Sequence, residues 1–315
     1  MENTINVSKN PSNDFVLDVK KEQKKSEITS KITKVFTYIF LTLVAITSFL
    51  PFYWMVMSSL KSEGEFRQSV PTFFPTDGIH WDNYSFVVQY QNANGATFSS
   101  YIVNTLIVGL VSTGFGVIIT IISAYAFARL EFKGKNLLFS LMMATMMIPG
   151  ELFTITNYVT TSNFGWRDTY IIMILPFLIS FYYIFLLRNA FMQIPDSLYK
   201  AAKVDGCSDL GYLVKVMVPL TAPTLISITL LKLIGTWNSY IWPRLVNSEK
   251  WQLISNWVMQ GFPDDQNILG YGYANQSLNV VRMAASCMVT LPLLILFICF
   301  RKYIMTGVSK SGTKG

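Results

Sequence analysis

The feature that most constrains this chain is the length of its uninterrupted apolar runs. No charged residue occurs between Lys34 and Lys61. A helix that crosses a bilayer needs roughly 20 predominantly apolar residues. Six runs meet that length: Val35–Met57, Tyr101–Phe127, Asn136–Tyr158, Thr169–Leu187, Ala222–Trp242 and Met283–Phe300. The third contains Glu151 and the fifth contains Lys232. The fold class expected is all-α, a polytopic membrane protein of six transmembrane helices. Only 14% of residues are charged and the mean hydropathy is +0.39, whereas soluble domains carry about 25% charged residues. A soluble globular enzyme is not the expectation on that ground.

Basic residues set the orientation. With the N-terminus inside, the inward segments hold 18 Lys and Arg and the outward segments hold 6, with Lys232 inside a span. Cytoplasmic loops carry the excess of Lys and Arg, so both termini are expected in the cytoplasm. The net charge of +7 therefore reflects membrane topology rather than nucleic acid, and no basic stripe with interleaved aromatics occurs. The first run is not read as a cleaved signal, because 34 mostly polar residues precede it and it is too long for a signal core. Residues 1–30, rich in Lys, Glu, Ser and Asn, read as a mobile cytoplasmic tail. Residues 31–99 hold the first span and a polar external segment punctuated by Pro71, Pro75, Asn92 and Gly95. Residues 100–301 form the core transmembrane domain, and 302–315 a cytoplasmic C-terminal tail. Cys207, Cys287 and Cys299 read as free thiols. His80 is the sole histidine, which removes His-rich metal sites by inventory and leaves a Ser-His-Asp triad only that one residue to use.

The segment 194–219 between spans four and five is long for a bundle connection. Pro195 and Asp196 make a helix start. Gly206 ends that helix, since glycine enters the left-handed conformation without a Cβ clash. A second helix is expected from Ser208 to Met217, stopping before Pro219. Ala201 and Ala202 leave one stretch of the first helix short-sided, so another protein surface can approach. Composition alone is equally served by a solvated helix-turn-helix. The spacing adds more: Ala201, Ala202, Asp205 and Gly206, then Val216 ten residues after Gly206, then Pro219 and Pro223. This pattern resembles the Glu-Ala-Ala motif of ABC importer permeases, in particular the carbohydrate permeases of the maltose and multiple-sugar type.

The resemblance runs over nearly the whole chain from about residue 40. Pro51 to Met55 followed by Ser59, Leu60 and Lys61 is similar to the family's first-span ending. Pro71, Pro75, Asn83 and Tyr84 match its external signature, and Asn104 to Ile107 its second-span start. Ala124 to Arg129 followed by Phe132, Lys133 and Gly134 resembles its second cytoplasmic turn. Met147 to Pro149, Trp237 and Asn238 with Trp242 and Pro243, and the terminal Lys310 to Gly315 continue the likeness. The resemblance implies a type I ABC importer permease fold in a prokaryotic cell membrane. It also implies that the loop docks into a groove on an ATPase. Leu198, Tyr199, Lys200, Ala201, Ala202, Asp205 and Gly206 would carry that coupling. Lys200 stands where the family usually has Glu, which leaves the ionic partner on the ATPase open.

The chain has no Gly-x-x-x-x-Gly-Lys-Ser/Thr loop; Gly134 and Lys135 lack the rest of it. It is therefore expected to be non-catalytic and to bind no cofactor, with ATP and magnesium on a separate ATPase. The partners implied are a second homologous permease, two ATPase subunits or one dimer, an extracellular solute-binding protein and the lipid bilayer, without nucleic acid. Sugar or oligosaccharide is the expected cargo, with a polyol or a glycerol phosphate ester as alternatives. An ion-coupled secondary transporter is the competing class, but it relies on intramembrane carboxylates and inverted repeats. Only Glu151 fits that description. Ionised residues at membrane depth cost about 2.5–3.5 kcal/mol on insertion scales and face the bundle interior. Glu151 and Lys232 are thus candidates for the translocation path if paired or lining a watery cavity, the alternative being that they snorkel or pack elsewhere. Trp237 and Asn238 join them as path candidates, Trp237 as a surface on which a sugar face can stack. Gly114 and Gly116 read as helix-packing residues.

Overall fold

A computed structural model describes residues 11–91, 95–260 and 278–309, with side chains over 28–91, 95–259 and 279–303. Asn92 and the terminal Lys310 to Gly315 motif lie outside the described residues. The chain divides into two compact units, Met1–Met57 and Ser58–Gly315. Helix α1 runs Pro11–Ser59. It therefore includes residues 11–30, which composition alone reads as a tail. Lys, Glu and Gln are good helix formers, and extending a helix already nucleated by its apolar half is far cheaper than starting one.

The second unit opens with two short helices, α2 (Glu63–Phe66) and α3 (Asp82–Gln89). Helix α4 (Phe98–Arg129) starts on a reciprocal cap: Ser100 N–H donates to Thr97 Oγ1, and Thr97 N–H donates to Ser100 Oγ at 3.0 Å. Two orphan donors of the first turn are satisfied that way. Helix α5 (Lys135–Thr145) begins after Gly134, whose φ of +82° places it in the left-handed region. Then follow α6 (Thr154–Asn163), α7 (Tyr170–Ile174), α8 (Phe181–Met192), α9 (Asp196–Val204), α10 (Asp209–Tyr212), α11 (Val218–Leu220), α12 (Ala222–Trp237), α13 (Ile241–Val246), α14 (Ile254–Gln260) and α15 (Leu278–Ser309).

Three of these helices are long and apolar enough to cross a membrane unbroken, within Ile28–Ser59, Phe98–Arg129 and Asn279–Tyr303. Three more spans are bent pairs. Lys135–Thr145 meets Gly150–Asn163 at 87°, Tyr170–Phe177 meets Phe181–Met192 at 44°, and Asp209–Leu220 meets Ala222–Trp237 at 81°. Six spans result when each bent pair counts as one, with the polar start of the last pair, from Asp209 to Lys215, belonging to the loop 194–219 and not to the apolar part of the span. The continuous third run expected over 136–158 is therefore broken. A proline lies in or close to each break: Pro149 inside the first, Pro176 just before the second, and Pro219 and Pro223 on either side of the third. Proline removes an N–H and restricts the residue before it, which ends a helix or turns it.

Two further boundaries differ from the sequence expectation: the fifth run, read to Trp242, ends as a helix at Trp237 and resumes in α13, and the end of the 208–217 helix shifts. The helix beginning after Ser208 does not stop before Pro219. It widens into a π turn over Leu213–Met217 and continues to Leu220. A wider turn ahead of a proline gives its ring room and uncouples the i→i−4 ladder it would otherwise break.

Helix α4 is the hub, packed against α8 and α12, while α12 also packs on α15. Close approach of α4 and α12 needs a missing side chain: a Cβ on Gly109 would sit 3.1 Å from Leu233 Cδ1. Polar stitches fix the rest. Asn104 Nδ2 donates to the carbonyls of Lys250 and Gln252 at 2.9 and 3.1 Å, and Tyr170 O–H donates to Asn104 Oδ1 at 2.7 Å. Buried Asn83 donates to the carbonyls of Ser59 and Lys61. Buried amide and hydroxyl groups are costly unless paired in this way.

Candidate functional site

Two places concentrate groups that do more than pack. One is the loop 194–219, held as a rigid projection. Helix α9 ends in a Schellman motif: Cys207 N–H donates to Ala202 O at 2.9 Å, and Gly206 N–H donates to Lys203 O at 3.1 Å. Gly206 has φ of +74° with open space where a β-carbon would stand. Its requirement is conformational, since only residues without a Cβ penalty take that region routinely. Ser208 then caps α10, its Oγ accepting from Gly211 N–H at 3.1 Å.

Asp209 ties the projection together. Its Oδ1 accepts from Lys203 Nζ at 2.9 Å, Tyr199 O–H at 2.9 Å and Tyr125 O–H at 3.0 Å. These bonds, the one from Lys203 foremost, hold the carboxyl below its ordinary value, and Asp209 in turn raises Lys203. A second tie is Arg129, at the end of α4. It pairs with Asp196 and donates to the carbonyls of Phe191 and Ile194. The Tyr199 and Tyr212 rings meet edge to face at 5.1 Å. Tyr199 and Ala202 therefore face the bundle, packed on a core that includes Tyr125, Phe191 and Tyr212. Leu198, Lys200, Ala201, Asp205 and Gly206 are exposed, and Val204 is 88% exposed. The sequence motif marks the loop but gives Tyr125, Arg129 and Asp209 no part in it. The signal was present, since Tyr125 and Arg129 end the second span within the quoted turn motif.

The other place is a cavity of about 450 Å³ among α4, α7, α8, α12 and α13, lined by Ser112, Ser180, Tyr183, Lys232, Thr236 and Trp242 among others. Lys232 is buried, and its Nζ donates to Phe177 O at 2.8 Å and Leu178 O at 3.3 Å. Those carbonyls lie where the fourth span breaks between Phe177 and Phe181. Gly116 supplies the room: a Cβ there would come within 2.3 Å of Lys232 Cε. The packing role expected of Gly116 is thus directed at one lysine, while Gly114 has open space beside it. The other path candidates fall elsewhere. Glu151 is exposed on the turn Gly150–Phe153 and makes no ion pair with Lys232. Trp237 is buried, donates to Val289 O at 3.3 Å and packs with Phe98 and Trp257. Asn238 caps α12 and is exposed.

Six apolar spans, three of them broken at proline, with a capped and clasped helical loop between the fourth and fifth, define an all-α membrane transport component. The chain belongs to the family of binding-protein-dependent transport system inner membrane components, whose model matches residues 116–310. It is 27% identical over 278 residues to the arabinooligosaccharides transport system permease protein AraQ of Bacillus subtilis, covering 88% of this chain and 94% of that one. It is 28% identical over 273 residues to the diacetylchitobiose uptake system permease protein DasC of Streptomyces coelicolor, covering 84% and 91%. Its fold matches a chain of a bacterial ABC transporter involved in the import of the acidic polysaccharide alginate. That match has a TM-score of 0.77 at 23% identity, over 87% of this chain and 97% of that one. The protein is a permease with the type I ABC importer fold, resident in a membrane, in a family whose transport depends on a binding protein.

Proposed function

We propose that this chain forms half of the translocation path of an ATP-driven importer of saccharides and transmits the ATPase stroke through the loop 194–219. The observation that carries the reading is the clasp: Asp209 and Arg129 fasten α9 to the ends of α4 and α8. Exposed Leu198, Ala201 and Val204 are left free to seat on another surface. A rigid piece joined to two spans moves them when it is pushed, whereas a floppy loop would absorb the motion. Leu198, Lys200, Ala201, Asp205 and Gly206 present the docking side, and Tyr199 and Ala202 anchor it.

In this reading a second homologous permease completes the path, and two ATPase subunits, or one dimer, hold the ATP and magnesium. An extracellular binding protein delivers the cargo. The chain itself performs no catalysis, and both termini lie in the cytoplasm. Saccharide cargo is supported by the named substrates of its relatives, arabinooligosaccharides and diacetylchitobiose. The test is uptake by the full assembly in proteoliposomes. Accumulation of an oligosaccharide is expected to require ATP and to persist when an uncoupler collapses ion gradients. Uptake abolished by the uncoupler, or uptake by this chain alone, would overturn the reading.

A further inference from the structure

The cavity beside Lys232 contains a charge without a counter-charge. Its lining holds hydroxyls from Ser112, Ser180, Tyr183, Thr236 and Ser239 but no Asp or Glu. An ammonium has three donors, and two of them are spent on the carbonyls of Phe177 and Leu178. Lys232 takes part in no ion pair among the described residues, and Glu151, the acidic residue inside the third apolar run, sits exposed on a different break. A buried cation at membrane depth is expensive and ordinarily marks a function. Gly116 shows that the position is built for it, because any side chain there would collide with the lysine stem and with Leu178 O at 2.9 Å. A space of this size suits a small ligand or one segment of a chain-like one.

We infer that Lys232 is the resident counter-ion for an oxyanion on the cargo, so that this path takes an acidic saccharide, a carboxylate or phosphate ester, in preference to its neutral counterpart. The two carbonyl bonds orient the ammonium and leave its remaining N–H for the ligand. The hydroxyls around it suit sugar oxygens. Lys232 is thereby a specificity residue rather than a mechanical one. The inference rests on the importer reading above.

The test uses the purified complex of this chain with its permease and ATPase partners. It measures direct binding by equilibrium dialysis, which bypasses the binding protein's own preferences. The probes are digalacturonate, its uncharged analogue digalactose, and glycerol phosphate. The native complex is expected to bind at least one anionic probe about tenfold or more tighter than digalactose. Which anion it prefers identifies the acidic group. Lys232→Met is expected to erase the preference, the anionic probes losing about tenfold more affinity than digalactose. Lys232→Arg is expected to keep the preference. Lys232→Gln retains a donor for the carbonyls without the charge, so it should lose the preference even if Lys232→Met fails to assemble. Equal binding of all three probes by the native complex would overturn the inference. So would an anion preference that survives Lys232→Gln, as when the partner permease carries the recognition. So would equal losses for charged and neutral probes. Each of these results leaves ATP-driven uptake intact and so separates this inference from the importer reading.

Discussion

At the scale of single residues, Gly206 and Asp209 carry the loop in different ways. Gly206 contributes only its backbone freedom, because a β-carbon added there would meet no neighbouring group within 4 Å. A β-branched residue resists positive φ at roughly 1–2 kcal/mol or more, and every 1.4 kcal/mol is about tenfold in an equilibrium. Gly206→Val is therefore expected to unseat the Schellman turn and lower ATP-driven uptake about tenfold at unchanged membrane content. Gly206→Asn, which tolerates the left-handed region, should retain most activity. Uptake at native level in the Val variant would show that the turn has no role in coupling. Asp209 acts through charge. Its folded carboxyl lies below the ordinary 3.8, and Lys203 lies above the ordinary 10.5. A depressed acid contributes stability above its unfolded value and loses it as pH falls through its folded value. A raised amine contributes below its unfolded value and loses it as pH rises through its folded value. The clasp should thus be complete between about pH 4 and pH 10. A spin label at Val204→Cys is expected to be immobile at pH 7 and to gain mobility below that window. In Asp209→Asn the label should be more mobile already at pH 7. A lineshape independent of both pH and Asp209 would mean that packing of Tyr199 alone holds α9.

At the scale of elements, helix contact is decided by which glycine faces a neighbour. Gly114 and Gly116 look alike in the sequence, yet only the second meets anything. Gly116→Ala must displace Lys232 or Leu178 O, and overpacking of this kind typically costs 1–3 kcal/mol. Gly114→Ala should be neutral or stabilising by up to about 1 kcal/mol through helix propensity. Thermal unfolding of the two variants in one detergent checks the difference, and equal melting temperatures would contradict this packing of α4 on α12. The same limit explains what the sequence could and could not convey. Apolar length located three unbroken spans and the three bent pairs, though not the end of the fifth at Trp237, and the Pro195, Asp196 and Gly206 signals located α9 and its end. Bends were illegible. Pro51 and Pro292 lie inside the unbroken helices α1 and α15, while Pro149, Pro176 and Pro219 mark bends, and local chemistry does not tell the two cases apart. Tertiary packing decides whether a freed carbonyl finds another partner, as Phe177 O and Leu178 O do in Lys232. The family motifs had a similar ambiguity. Asn83, Asn104 and Trp237 proved to be stitches between segments, and the hydrogen bonds that give them that role join residues up to 148 positions apart.

At the scale of the whole molecule, the threefold excess of Lys and Arg on one side of the membrane argues for an orientation that reagents can read. The three native cysteines, Cys207, Cys287 and Cys299, form no disulfide among the described residues. Replacing them leaves a background on which one introduced thiol reports its side. Val204 at 88% exposure and Val70 at 78% are suitable reporters on the loop and on the segment after the first span. In sealed right-side-out vesicles, Val70→Cys should react with a membrane-impermeant maleimide, and Val204→Cys should not. Inverting the vesicles should exchange the two. Once the loop faces the reagent, adding the ATPase subunits should protect Val204→Cys. Protection follows from docking, because an apolar residue exposed to that extent becomes inaccessible only when another surface covers it. If both reporters label from the same side, the six-span topology is wrong. If Val204→Cys labels equally with and without the ATPase, the projection built by Asp209, Arg129 and Gly206 is not the surface that receives the stroke.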